Sequence, residues 1–300
     1  MTDAKTIALF GLGSMGFGMA TSLVKAGHTV YGFDVNPAAV ARFVEAGGHH
    51  GNVEDIGAQV DITVVVVLNA PQTESVLYGE NGIVSHMRAG SGIISCATMP
   101  PEFAKTLATR SMETGVHYLD APISGGSIKA AAGKLSVMAA GTAAAFDTAK
   151  PALDAMAETV FELGDEPGPG SAMKSVNQLL AGVHIAAMGE ALTFGLKQGL
   201  SAEKILEVIS QSAGNSWMFE NRAPHVVAGD YTPHSAINIW LKDLGIVLDI
   251  AREERLAAPL AAAALQQYLV AAGTGLGAED DAAITKVYAR NAGVDLPSGD

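Results

Sequence analysis

The sequence predicts an α/β chain in two parts, a doubly wound parallel sheet followed by an all-α region. Three observations carry this expectation. Short Val- and Ile-rich runs alternate with helical stretches through the first half. Gly and Pro then cluster in LGDEPGPGSA, residues 163–172, and beyond that cluster the apolar spacing is almost entirely helical. Alternating strand and helix imply βαβ units, and a change of hydrophobic period marks a boundary. Two domains are expected, over residues 1–165 and 166–300.

In chain order, TIALFGLG, HTVYGFDV, DITVVVVL and SGIISCA read as strands, with helices expected over 15–26, 37–46 and 101–114. VHYLD and KLSVMAAG read as further strands, and 143–156 as a further helix. Past the boundary, helices are expected over 171–199, 202–212, 235–254, 259–272 and 281–292. The alanine-rich LAAPLAAAALQQYLVAAG fits close helix packing, and no internal repeat is visible.

Composition narrows the partners. The 300 residues are 49% hydrophobic and 16% charged, which describes a folded chain with a sizeable core. A formal net charge of −13, with no Lys/Arg cluster, argues against nucleic acid or a membrane surface as partner. The single cysteine, Cys96, excludes an internal disulfide and a Cys-based zinc site; no metal is expected, and the compartment expected is the cytoplasm. The start, MTDAKTIALFGLGSMG, lacks the pattern of a signal peptide, and no uninterrupted apolar stretch reaches transmembrane length.

FGLGSMG places Gly11, Gly13 and Gly16 as G-x-G-x-x-G between a strand and a helix. The first glycine allows the tight turn and the second lets the backbone approach a pyrophosphate. The third allows close helix–strand packing, while the helix N-terminus offers free N–H donors. The loop Gly11, Leu12, Gly13, Ser14, Met15, Gly16 is therefore the candidate dinucleotide cradle of a Rossmann-type domain. Asp34, closing the second strand, suits ribose hydroxyls and repels a 2′-phosphate. No arginine follows it directly, and Arg42 lies a turn or two away, so NAD is expected as cofactor rather than NADP. Asn69 and Thr98 also fall at carboxyl ends of strands, where ligands of such sheets bind.

DAPISGG, residues 120–126, offers the Ser124 hydroxyl and the N–H groups of Gly125 and Gly126 to a carboxylate; an ordinary Ser-Gly-Gly turn reads the same way. At the start of the long helix, Lys174, Asn177 and Gln178 share a face by the i, i+3, i+4 rule, with Val176, Leu179, Leu180 and Val183 opposite. Lys174 could snorkel to solvent. Near a helix N-terminus and partly buried, it would instead favour its neutral form and exchange protons. Lys242 and Asp243, in IWLKDLG, read either as a solvated edge or as part of a site.

Together GLGSMGFGM, DAPISGG, GSAMKSVNQ, WLKDLG and DDAAITKVY resemble the β-hydroxyacid dehydrogenase family over nearly the whole chain. The resemblance implies a Rossmann-type NAD-binding domain joined by a long helix to a helical domain that makes substrate and dimer or tetramer contacts. It implies Lys174 as catalytic acid/base, and Ser124, Gly125 and Gly126 as binders of the substrate carboxylate. Asn177 and Gln178 would orient substrate, Lys242 would lie near the nicotinamide, and Asp243 would support the site. Two stretches depart from the family pattern: Ser95-Cys96-Ala97-Thr98, where only Thr98 transfers, and Tyr231-Thr-Pro-His-Ser235. KSVNQLLAGVHIAAMGEAL, SWMFENRAPH and INIWLKDLGI look most like the branch that oxidises L-threonate with NAD. Hydroxyl-binding groups would then come from His184 and residues 215–221, although His184 also fits a satisfied histidine in a helix bundle. The alternatives are a 3-hydroxyisobutyrate or tartronate semialdehyde/glyoxylate-type reductase of the same family, against which Asp34 argues where NADPH is used, an imine reductase relative, and a non-catalytic binding module on the same fold. Lys174 argues against the last two.

Overall fold

The computed structural model describes residues 4–299 and divides into two compact units, Met1–Lys174 and Ser175–Asp300. In the first, five parallel strands form a sheet in the order β2-β1-β3-β4-β5. They are β1 Thr6–Phe10, β2 Thr29–Phe33, β3 Ile62–Val65, β4 Gly92–Ser95 and β5 His117–Asp120. The helices between them are α1 Gly16–Lys25, α2 Pro37–Glu45, α3 Val53–Ile56, α4 Ala70–Tyr78 and α5 Pro101–Glu113. Alternate strand residues feed two cores, one on each face: Ile7, Leu9, Val30, Ile62 and Val64 on one side, Ala8, Phe10, Val65 and Ile93 on the other. Burial on both faces is why these strands are continuous Val/Ile runs rather than alternating ones.

KLSVMAAG is a strand, β7 Leu135–Ala139, but it belongs to a second, three-stranded sheet. Its partners are β6 Ile123–Ser124, antiparallel, and β8 Ala157–Glu162, parallel. Two helices accompany this sheet, α6 Gly126–Ala131 and α7 Ala143–Met156.

A single helix, α8 Pro169–Lys197, begins in the first unit and continues into the second. By length and mean hydropathy it passes for a membrane span, although Lys174, Asn177, Gln178 and Glu190 interrupt its apolar run. Its composition has a local cause, since Ile185, Met188 and Leu192 lie fully buried in the core of the second unit. That unit is otherwise built from α9 Ala202–Ile209, α10 Trp217–Ala228, α11 Ile237–Glu253, α12 Pro259–Ala271 and α13 Ile284–Ala292. The helix expected over 281–292 opens as a 3₁₀ turn, Asp281–Ala283, which the Asp280 side chain caps at the Ala282 N–H. Buried Asp281 binds Arg222 Nε at 2.5 Å and Trp240 Nε1 at 2.9 Å, and Trp240 stacks on Tyr268, so the turn at Asp281 is pinned inside the bundle.

Candidate functional site

The glycine loop closes β1 against β2. Gly11 adopts φ +98°, donates to the Phe33 carbonyl at 2.8 Å, and any Cβ there would stand 2.3 Å from Val66 O. A Cβ on Gly16 would stand 1.8 Å from Gly11 O. Folding alone therefore demands these two glycines. Gly13 differs: a Cβ there would meet nothing within 4 Å, its φ is not in the left-handed region, and the residue is exposed. No neighbour in the fold asks for glycine at 13, whereas the close approach of a pyrophosphate does. The loop residues thus fit a dinucleotide.

Asp34 stands at the end of β2, where Oδ2 accepts from the Leu12 N–H at 2.6 Å and Oδ1 from the Asn36 N–H at 2.8 Å. The carboxylate latches the loop and keeps lone pairs on both oxygens for ribose hydroxyls. Arg42 lies over the Phe17 ring, 4.3 Å from its centroid. Ser14 is exposed, and half-buried Met15 packs against the core at the start of α1. Asn69 and Thr98 follow β3 and β4, neighbours in the sheet, on the same carboxyl edge as the loop. The Asn69 side chain caps α4 by accepting from the Gln72 N–H at 2.9 Å, so its oxygen has a structural role as well.

Ser-Gly-Gly is not a free turn. Ser124 ends β6 opposite Ser136; Gly125 and Gly126 then take φ +133° and +74° and lead directly into α6. Ser124 and Gly125 are half-buried and Gly126 is exposed. Beside this segment comes Lys174, 9% exposed, whose Nζ donates to the Ile123 carbonyl at 2.9 Å. The structure therefore brings the lysine and the residue preceding Ser124 together, and excludes the snorkelling arrangement.

In the second unit, four predicted residues form one chain of polar contacts. Asn177 Nδ2 donates to Gln178 Oε1 at 2.8 Å, and Gln178 Nε2 donates to Asp243 Oδ2. Asp243 Oδ1 in turn lies 2.5 Å from Lys242 Nζ. Asp243 is buried and Lys242 half-buried, so the pair is no solvated edge. On α8 the polar positions are the covered ones: Gln178 is buried, whereas Val176 and Leu180 on the other side are 54% and 49% exposed. At the start of α8 part of the apolar side thus faces outward, while Leu179 and Val183 pack against the core.

His184 is half-buried. Asn215 donates to Glu220 Oε1 at 2.6 Å and Asn221 accepts from Arg222, so both side chains make local contacts around the start of α10, which Ser216 caps. A cavity of about 310 Å³ in this unit is lined by Pro224, His225, Ala228, Asp230, Thr232 and His234, and none of the predicted residues reaches it. Among the described residues, no group of three His, Cys, Asp or Glu side chains could hold a metal ion.

One residue of the DAPISGG motif went unread in the sequence. Asp120, the last residue of β5, is 1% exposed and accepts from Gly168 N–H, Ser171 N–H and Ser171 Oγ. Burial pushes its carboxyl above the usual range, against the pull of these hydrogen bonds. An acid closing a strand two residues before the proline of an Ala-Pro turn was the available signal.

Residues 6–164 match the profile of the NAD binding domain of 6-phosphogluconate dehydrogenase, and residues 168–288 that of the NAD-binding domain of NADP-dependent 3-hydroxyisobutyrate dehydrogenase. An L-threonate dehydrogenase of Cupriavidus necator is 46% identical across 98% of this chain and 98% of its own. A 2-(hydroxymethyl)glutarate dehydrogenase of Eubacterium barkeri is 36% identical across the full length of both. Among solved structures, a 3-hydroxyisobutyrate dehydrogenase from Salmonella typhimurium superimposes with a TM-score of 0.89 at 42% identity, covering 95% of this chain and all of that one.

Proposed function

This chain belongs to the β-hydroxyacid dehydrogenase family, NAD-dependent enzymes acting on a CH–OH group, and from that premise we propose that it oxidises L-threonate to 2-dehydro-L-erythronate. The observation that carries the catalytic reading is the buried Lys174 amine held at the Ile123 carbonyl, next in the chain to Ser124. The substrate assignment draws its support from the L-threonate dehydrogenases, 42–46% identical over nearly the whole chain.

In this reading the region 1–165 holds NAD and the region 166–300 supplies substrate and subunit contacts. The loop Gly11–Gly16 and Asp34 hold the dinucleotide, with Asn69, Thr98 and Lys242 as further cofactor contacts. NAD, when bound, supplies the acceptor for the hydride that leaves the hydroxyl-bearing carbon. Lys174, neutral before reaction, takes the hydroxyl proton on Nζ. Holding that amine in a buried, fixed position lowers the cost of orienting it. Ser124, Gly125 and Gly126 bind the substrate carboxylate through hydroxyl and N–H donors. Asn177 and Gln178 orient the substrate, and Asp243 fixes Gln178 and Lys242. The exposed apolar side of α8 is assigned to the contact that makes a homodimer or homotetramer, and the compartment to the cytoplasm.

The Salmonella structure keeps a second substrate in play, 3-hydroxyisobutyrate, and with it the tartronate semialdehyde/glyoxylate-type reductions of the family. An NAD reduction assay over C3–C6 hydroxy acids decides. Highest kcat/KM on L-threonate, above D-threonate, D-erythronate and 3-hydroxyisobutyrate, is the expected result; a preference for 3-hydroxyisobutyrate would replace the assignment.

A further inference from the structure

Lys174 is the sixth residue of α8, and its height above the sheet depends on where that helix begins. The first turn rests on the end of β5. Asp120 Oδ2 accepts from Gly168 N–H at 2.9 Å and Ser171 N–H at 2.8 Å, and Oδ1 accepts from Ser171 Oγ at 2.6 Å. A Cβ on Gly170 would stand 2.5 Å from the Asp120 carbonyl oxygen and 2.6 Å from that of Met138, so the helix start sits as close to the strand ends as backbone allows. Lys174 follows Gly170 by four residues and Ser171 by three, on the same side of the helix. Its amine reaches the carbonyl of Ile123, three residues after Asp120 in the chain. The helix start and the amine's acceptor are thus both fixed to the segment 120–123.

We propose that Asp120 is a positioning residue, which through Ser171 and the first turn of α8 sets the place and the proton affinity of Lys174. The inference rests on the reading of Lys174 as acid/base. Gly168 N–H, Ser171 N–H and Ser171 Oγ all donate to Asp120, as a carboxylate requires. A carboxylate at a helix N-terminus offsets the positive end of the helix dipole, the same field that disfavours an ammonium in the first turns. The titratable side chains that feel its charge, Cys96 just after β4 and Tyr118 from β5, stay neutral because burial pushes the thiol up to about 12 and the phenol higher still. Of these three groups Asp120 is the one placed to carry negative charge, and it does so at the foot of the helix that bears Lys174.

In Asp120→Asn the amide oxygen still accepts from the Gly168 and Ser171 N–H groups, while the amide N–H2 faces Ser171 Oγ and the charge is removed; Ser171→Ala removes a single hydrogen bond. With NAD and the fastest hydroxy acid of the panel, Asp120→Asn is expected to lower kcat about tenfold or more while NADH affinity stays within about twofold. The acid limb of its kcat profile for oxidation should move to lower pH, because an ammonium deprived of the carboxylate deprotonates more readily. Ser171→Ala should lower kcat by a smaller factor and leave NADH affinity unchanged, and it carries the test if Asp120→Asn does not fold. An unchanged kcat and acid limb in a folded Asp120→Asn, or an unchanged kcat in Ser171→Ala, overturns the inference. A purely structural role would lower the melting temperature without moving the acid limb, and that outcome also overturns it. Lys174→Ala, run in parallel, separates the two claims: an active Lys174→Ala refutes the acid/base reading, whereas an inactive one beside an unaltered Asp120→Asn refutes only the positioning role.

Discussion

Replacing Gly13 by alanine puts a Cβ where, among the described residues beyond its chain neighbours, nothing lies within 4 Å, at a φ outside the left-handed region. Folding should tolerate it: Gly→Ala at a compatible position is neutral or stabilises by about 0.4–1 kcal/mol through the unfolded chain. If the backbone at Gly13 is where a pyrophosphate comes closest, the methyl blocks that approach. A loss of about 10- to 100-fold in NADH affinity is expected, about 1.4–2.7 kcal/mol. Gly16→Ala is the internal contrast. Its Cβ would stand 1.8 Å from Gly11 O, so the backbone must shift, at a cost of about 3 kcal/mol or more in stability. NADH fluorescence titration together with thermal unfolding reads both quantities. A Gly13→Ala variant that binds NADH with wild-type affinity refutes the reasoning, because the glycine would then serve neither fold nor ligand.

Asp34→Ser removes the carboxylate that repels a 2′-phosphate; KM for NAD should rise about tenfold and KM for NADP should fall, as cofactor titration would show. Burial would raise the Asp280 carboxyl, but hydrogen bonds from His225 and from the His234 and Ala282 N–H groups hold it down to about 2. A depressed carboxyl contributes stability above its unfolded value near 4 and loses it as pH falls toward 2. Asp280→Asn should therefore flatten acid unfolding across that window by roughly 1–2 kcal/mol, measured by urea titrations at each pH. Leu180→Glu, on the outward apolar side of α8, should shift the sedimentation profile toward monomer and leave NADH affinity unchanged.

Much of this was legible in the sequence because it rests on local rules. The helix over 143–156 was placed residue for residue even with Pro151 inside it, since Thr142 caps its start and Ala145, Ala149, Ala152 and Leu153 make a buried stripe. The loop at Gly11–Gly16 was legible because two of its glycines are forced by close packing. β8 was not, for it is an edge strand with Glu158 and Glu162 on it and no buried residue, so no apolar run announces it. α10 was obscured by Pro224 in its interior. The site residues divide the same way. Helical spacing grouped Lys174 with Gln178, and both are buried, but it left open which face of α8 is covered, because that depends on tertiary contacts that a hydrophobic pattern does not encode. Asp120 escaped for a related reason, because its place at the end of a strand hints at a role but its partner helix lies 48 residues away in the chain.

The central claim is that Lys174 moves the proton in an NAD-linked oxidation of a hydroxy acid. Steady-state turnover of Lys174→Ala with NAD and L-threonate, beside its NADH affinity, tests it most directly. Turnover lower by about 10²- to 10⁴-fold with NADH binding nearly intact is the predicted result. Turnover close to that of the unaltered protein would contradict it.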